Sequence, residues 1–168
     1  MIVIADTTPI ISFIKMSLLH ILETMYGEII IPEAVYDELI CNPSMSHEAE
    51  IVKECSFLKM KKVENEFAVK ILRVQMNLDA GESEAIVLAE SLKADVLLID
   101  EKKARNIARK MNVNIVGTLG ILLEAKRQKY ILELKPYLDT LLDQNIRIGT
   151  QLYNEILELA EEKSSDRK

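Results

Sequence analysis

Residues 2–9 read Ile2-Val3-Ile4-Ala5-Asp6-Thr7-Thr8-Pro9, and the order of residue types in this stretch decides the fold. A half-buried strand alternates apolar and polar residues. Four apolar residues in a row instead suit a strand covered on both faces, as in a parallel sheet. Asp6 then falls at the carboxyl end of that strand. Thr7-Thr8-Pro9 supplies hydroxyls able to cap a helix and a proline tolerated in its first turn. Strand, acid and helix in that order open a βαβ unit.

The same pattern repeats outward along the chain. Ile29-Ile30-Ile31 is a second buried run, and Pro32 opens a helix with Val35, Leu39 and Ile40 inward. Asn42-Pro43-Ser44 breaks that helix, and a short one over 48–54 follows. Residues 57–61 alternate loosely, as an edge strand does, and Lys59, Lys61 and Lys62 discourage edge-to-edge pairing. Helices are expected over 66–76 and 82–92. Val96-Leu97-Leu98-Ile99 is another buried run ending in an acid, Asp100, with a charged helix over 102–110 beyond it. Residues 113–116 are expected as a last core strand. Gly117-Thr118-Leu119-Gly120 leads into a helical C-terminal extension. The expected architecture is one α/β domain over residues 1–160, with a mostly parallel sheet, helices on both faces and a frayed polar tail at 161–168.

Composition removes several classes of function. The chain has 168 residues, and 49% of them are hydrophobic, enough for one globular core without staples. Lys and Arg number 21 against 27 Asp and Glu, a net charge of −6 that argues against bulk electrostatic binding of DNA or membranes. Cys41 and Cys55 show no CxxC spacing, so they are expected as core thiols in a reducing cytosol. His20 and His47 lie beside no recognisable nucleophile, against a Ser-His-Asp or Cys-His enzyme. No run approaches the ~20 apolar residues of a membrane span, and no signal peptide is expected before the first strand-like run. A cytoplasmic protein is expected. Neither GxxxxGK[ST] nor GxGxxG occurs. Asp6 lacks the second Asp two residues on that a haloacid-dehalogenase-type phosphatase needs, and Pro32-Glu33 does not suit a receiver's phosphoacceptor.

In doubly wound sheets ligands bind beyond the carboxyl ends of the strands. Asp6 and Asp100 both fall there. Glu38, two turns into the helix after Pro32, can lean over the same edge. Glu82 opens the helix before the Asp100 strand, with Glu84 as its rival in register. Each acid alone has an ordinary reading as a helix cap, a dipole partner or a solvated side chain. Three or four carboxylates converging on one place repel each other unless a cation neutralises them or some stay protonated. Oxygen donors without His or Cys suit Mg²⁺ or Mn²⁺, ions that activate water and steady the charge of in-line attack on a phosphodiester.

The residues at these positions also resemble the PIN-domain family, the fold of VapC-type toxin ribonucleases. The resemblance rests on Ile4-Ala5-Asp6-Thr7-Thr8-Pro9-Ile10-Ile11, on residues 31–39 around Glu38, on Gly81-Glu82-Ser83-Glu84-Ala85-Ile86 and on Leu97-Leu98-Ile99-Asp100-Glu101. The wording of the third stretch and of Gly117-Thr118-Leu119-Gly120 looks most like an uncharacterised prokaryotic PIN-like branch. The resemblance implies a metal-binding and catalytic tetrad of Asp6, Glu38, Glu82 and Asp100. Glu84 stands as an alternative for the third place, Glu101 as one that shares the role of Asp100, and Thr7 as a supporting hydroxyl. VapC toxins usually carry Asp at the third place.

Lys102, Lys103, Arg105, Arg109 and Lys110 crowd the helix after Asp100. They read either as a solvated face or as a phosphate track, and the track is assigned to Lys102, Lys103, Arg105 and Arg109. The resulting expectation is a Mg²⁺- or Mn²⁺-dependent endoribonuclease-like PIN domain acting on single-stranded RNA. The resemblance further implies a homodimer, and a small antitoxin-type inhibitor and a toxin role fit it. The rival reading is a PIN-fold module that no longer cleaves and binds nucleic acid or protein.

Overall fold

The computed structural model of the chain describes residues 1–162. Its five strands, β1 Val3–Ala5, β2 Ile29–Pro32, β3 Leu58–Lys61, β4 Val96–Leu98 and β5 Ile115–Val116, form one sheet in the order β3-β2-β1-β4-β5. Every pairing is parallel, with Ile4 opposite Ile30 and Leu97 in the flanking strands. The chain winds outward from β1 through β2 to β3, then returns to the other side of β1 for β4 and β5. The strand order therefore reverses between β1 and β4, the place where doubly wound sheets open a crevice at their carboxyl edge.

The continuous apolar runs do what two-sided burial requires. Val3 and Ala5 belong to one hydrophobic cluster while Ile4, between them, belongs to the other. The first cluster packs the sheet against α1 Thr7–Lys15, α2 Leu19–Tyr26, α8 Thr118–Arg127, α9 Lys135–Asp143 and α10 Thr150–Leu159, and takes in Val35 and Leu39 of α3 Glu33–Cys41 and Val52 of α4 Ser46–Glu54. The second packs it against α5 Glu66–Gln75, α6 Ala80–Ser91 and α7 Lys102–Lys110. Alternation by two along a three-residue strand thus serves two cores, because each successive side chain points to the opposite face.

Several expectations shift at element ends. β3 is an edge strand, with Lys59 and Lys61 exposed. The strand expected over 113–116 is reduced to Ile115 and Val116 and lies at the other edge, half-buried. Only its β4 side has a strand to pair with, so it is not a core strand. Cys41 is exposed at the end of α3 and Cys55 is half-buried, so neither is the core thiol expected. The inward positions of α3 are already filled by Val35 and Leu39.

The C-terminal helices are tied back onto the domain. Lys126 of α8 pairs with Glu162 at 2.5 Å, and the Glu162 carboxylate also accepts from the Leu134 and Lys135 backbone N–H groups. The second residue of the expected polar tail over 161–168, Glu162, is therefore held by three donors; residues 163–168 lie outside the described residues. Among the described residues no helix is long and apolar enough to cross a membrane.

Candidate metal centre and its neighbouring cleft

Asp6 is set by the sheet itself. Its backbone N–H donates to the Leu98 carbonyl at 2.9 Å, which extends the β1–β4 ladder one step and fixes the residue at the carboxyl edge. It occupies the N-cap position of α1, yet its side chain makes no capping hydrogen bond. The ordinary reading of an Asp at a helix start is thereby not what this carboxyl does. It is 4% exposed. Burial is the main reason its pKa is raised from 3.8 to about 7, and the charges of Asp79, Glu82 and Glu38 push the same way against the Thr7 backbone amide.

Glu38 reaches this place from α3. Its Oε2 accepts a 2.6 Å hydrogen bond from the Thr7 hydroxyl, the residue next to Asp6. Gly81, in the first turn of α6, stands against both carboxylates. A Cβ there would lie 3.4 Å from Asp6 Oδ1, 3.5 Å from Glu38 Oε2 and 3.2 Å from Val35 Cγ2. The missing methyl leaves a small space that two acids from different elements border.

The α6 N-terminus adds two further acids. Asp79 Oδ1 accepts from the Glu82 N–H at 2.8 Å, and Glu82 Oε2 accepts from the Asp79 N–H at 3.0 Å, a reciprocal capping box. Glu82 is buried, and burial raises its pKa, with Asp79 and Glu101 adding repulsion and Lys103 opposing it. Glu84, the rival for the third place, faces elsewhere: its Oε2 accepts from the Ala34 N–H at 3.0 Å and so caps the start of α3.

Asp100, beyond β4, has a different environment. Both its carboxylate oxygens are held by Thr118, Oδ1 by the backbone N–H at 2.8 Å and Oδ2 by the hydroxyl at 2.6 Å. Glu101 takes the N-cap of α7, accepting from the Ala104 N–H at 2.7 Å, so capping does not occupy Asp100. Gly117 permits this approach. A Cβ there would lie 2.7 Å from Asp100 Oδ1 and would run into Arg105 Nη1.

From Asp100 a cleft of about 730 Å³ runs between α1, α7, α8 and α10. Lys102, Arg105 and Arg109 line it, joined by Arg147 from the α9–α10 connection. Lys103, grouped with them in the sequence, turns away and donates to the Asn77 carbonyl at 3.2 Å.

The fold thus brings Asp6, Glu38 and Glu82 to one neighbourhood and holds Asp100, beyond the neighbouring strand, on Thr118. Sequence reasoning missed four residues. Asp79 lies just before the helix expected over 82–92, and Asp followed three residues later by Glu before an apolar helix is a capping-box pattern that could have found it. Gly117 and Thr118 were visible only as a helix lead-in and as family wording, not as partners of Asp100, and Arg147 carries no local signal, since their partners lie far away in sequence.

The donor set fits a hard divalent cation: oxygen only, from acids whose mutual repulsion a cation relieves, beside a glycine that keeps their space open. Among the described residues no three Asp, Glu, His or Cys side chains already stand close enough together to hold an ion. Oε2 of Glu82 accepts from Asp79 and both oxygens of Asp100 accept from Thr118, so these two side chains would have to turn to complete the set.

A doubly wound parallel sheet with a cluster of acids at its reversal point defines the class: an α/β protein with an acidic site at the carboxyl edge. The family model DUF3368, described as a PIN domain, matches residues 2–162, and the chain belongs to this family. No curated protein and no solved structure gives a match. PIN domains are commonly nucleases and typically use divalent metal ions.

Proposed function

We propose that this PIN domain is a Mg²⁺- or Mn²⁺-dependent endoribonuclease acting on single-stranded RNA. The observation that carries the reading is the buried Asp6 carboxyl, raised to about 7, sharing the space at Gly81 with Glu38. An acid so placed has a cost in the folded protein that a cation would remove.

Asp6, Glu38, Glu82 and Asp100 would hold the ion. When bound, it supplies charge stabilisation and Lewis-acid polarisation at a phosphoryl group. The Thr7 hydroxyl orients Glu38, and Thr118 orients Asp100. With the ion bound Asp6 stays deprotonated, and one carboxylate of the set would assist removal of the proton from the attacking water. Lys102, Arg105 and Arg109 offer contacts to substrate phosphates, which makes binding salt-dependent. A cytoplasmic toxin role, a homodimer and a small antitoxin partner belong to the same proposal, supported by the family resemblance.

A second reading, a PIN-fold binding module without hydrolysis, is favoured by one observation. Glu82 and Asp100 are engaged by protein donors rather than turned toward Asp6. Cleavage of a mixed single-stranded RNA pool by wild type and Asp6→Asn, with Mn²⁺ and with EDTA, separates the two. The nuclease reading expects products only from wild type with metal. A wild type that gives neither products nor Mn²⁺ binding, the latter read by calorimetry, would support the module.

A further inference from the structure

Helix α5 buries one side and leaves an apolar line in water on the other. Leu72 is buried, and Ala68 and Val69 pack against the second core cluster. On the outer side Phe67 is 74% exposed and Val74 72% exposed. Seven residues apart, the two stand in line, two turns of helix from each other. Half-buried Ile71 flanks that line on one side, and exposed Glu66, Lys70 and Arg73 flank it on the other. Among the described residues none of these three charges makes an ion pair. A line of large apolar side chains rimmed by unpaired charge is the composition of an interaction surface.

We propose that α5 is the surface through which two copies of this chain associate, antiparallel about a two-fold axis. The order of charges selects the occupant. The helix opens with an acid and an apolar residue, Glu66-Phe67, and closes with a base and an apolar residue, Arg73-Val74. A two-fold axis across paired antiparallel helices reverses their direction and keeps each flank beside its counterpart. Phe67 then meets the partner's Val74, twice, and Ile71 meets its own counterpart at the centre. Glu66 falls beside the partner's Arg73, also twice. The surface is thus complementary to itself in both shape and sign. Helix α10 shows what is special here. It also exposes two apolar residues seven apart, Leu152 and Leu159, but its polar residues include Glu155 and Glu158 and no cation. The same pairing there would oppose acid to acid. Single-stranded RNA would stack on Phe67, yet it would leave Val74 in water and set phosphates against Glu66. The inference gives the homodimer of the proposed function its surface and rests on that part of it. A dimer held through another face would sink the placement and leave the homodimer standing.

The test is sedimentation velocity of the full chain over a concentration series. Wild type is expected to dimerise and to stop at two copies. Phe67→Ser should raise the dimer Kd by about 10²-fold, since each dimer loses two central aromatic anchors. Glu66→Lys and Arg73→Glu should each weaken the dimer about tenfold, because each sets like charges opposite each other at both ends. An equimolar mixture of those two variants should restore dimers near the wild-type strength, since every rim pair then joins opposite charges. Damage to the fold would not be repaired by mixing, and helical circular dichroism checks each variant alone. A wild type that stays monomeric overturns the proposal; if Phe67→Ser then weakens RNA binding, the face belongs to nucleic acid. A dimer indifferent to Phe67→Ser, or a mixture no stronger than its components, also overturns it. Growth past two copies would mark a head-to-tail contact and do the same. No hydrolysis is read, so an inactive acid cluster leaves the result intact.

Discussion

Asp6 and Asp100 follow neighbouring buried strands at the same edge of the sheet, yet they sit in opposite electrostatic settings. Asp6 is buried among acids, with Glu38, Asp79 and Glu82 pushing its pKa up beyond what burial alone does. Asp100 is half-exposed and held through both oxygens by Thr118, with the Arg105 guanidinium nearby at Gly117. One region stores repulsion that a cation would relieve; the other is already satisfied and borders a cationic cleft. Residue type at a strand end therefore does not define a site. The surrounding donors decide which acid is held in waiting and which is held in place.

The largest expected effect breaks the comparison on the Asp6 side. Asp6→Asn should reduce metal-dependent RNA cleavage by about 10²–10⁴-fold, the scale of a positioned acid–base group. The fold should survive, because the amide is nearly isosteric and removes a buried charge. Undiminished cleavage by the pure variant would refute the assignment.

Stability against pH sharpens the same contrast. A carboxyl whose pKa rises from 3.8 unfolded to about 7 folded binds protons more tightly when folded. Its contribution is fully present below about 3.8 and is lost as pH rises through about 7. At 1.36 kcal/mol per unit this single group takes away at most ~4 kcal/mol over that window. In EDTA the stability advantage of Asp6→Asn over wild type, read from urea unfolding, should grow between those two pH values. Mn²⁺ at the upper end should close the gap. Parallel curves for the two proteins would contradict the burial argument.

On the other side, Thr118→Val removes the hydroxyl but keeps the backbone donor to Asp100. A loss of about tenfold in cleavage is expected, the lower end for a group that orients a metal ligand, with a stability loss of about 1 kcal/mol. Cleavage at the wild-type rate would mean that Asp100 needs no holding.

The smallest effect separates the two glutamates of α6. Glu84→Ala should cost about 1 kcal/mol through the lost cap on α3 and leave cleavage nearly unchanged, whereas Glu82→Ala should impair cleavage as well. Paired melting and cleavage assays that find the reverse would move the third acid to Glu84.

Much of the fold was legible because two-sided burial leaves a mark that local reading can see. The apolar runs at 2–5, 29–31 and 96–99 gave three strands, and the basic helix 102–110 matched α7 to the residue. Element ends at 113–116 and the exposure of Cys41 were not legible, since they depend on which neighbour a strand or helix face finds. Within the site, Asp6, Glu38 and Glu82 were nominated as acids of the right elements. Their ordinary roles were legible only in part: the reading allowed for caps, but it did not see that Glu84 caps α3, that Glu101 caps α7, or that Asp79 belongs to the cluster.

By itself the sequence determined the class of sheet, the family resemblance and a list of candidate acids, because hydrophobic pattern and helix-start chemistry are local. The tertiary structure decided which acids meet. Glu38 joins Asp6 through Thr7 and across Gly81, a glycine from a helix some 75 residues further on than Asp6. Asp100 is drawn to Thr118, which opens α8 on the far side of β5 in the chain. Such pairings are set by packing across elements, and no local pattern of residues encodes the distance between them.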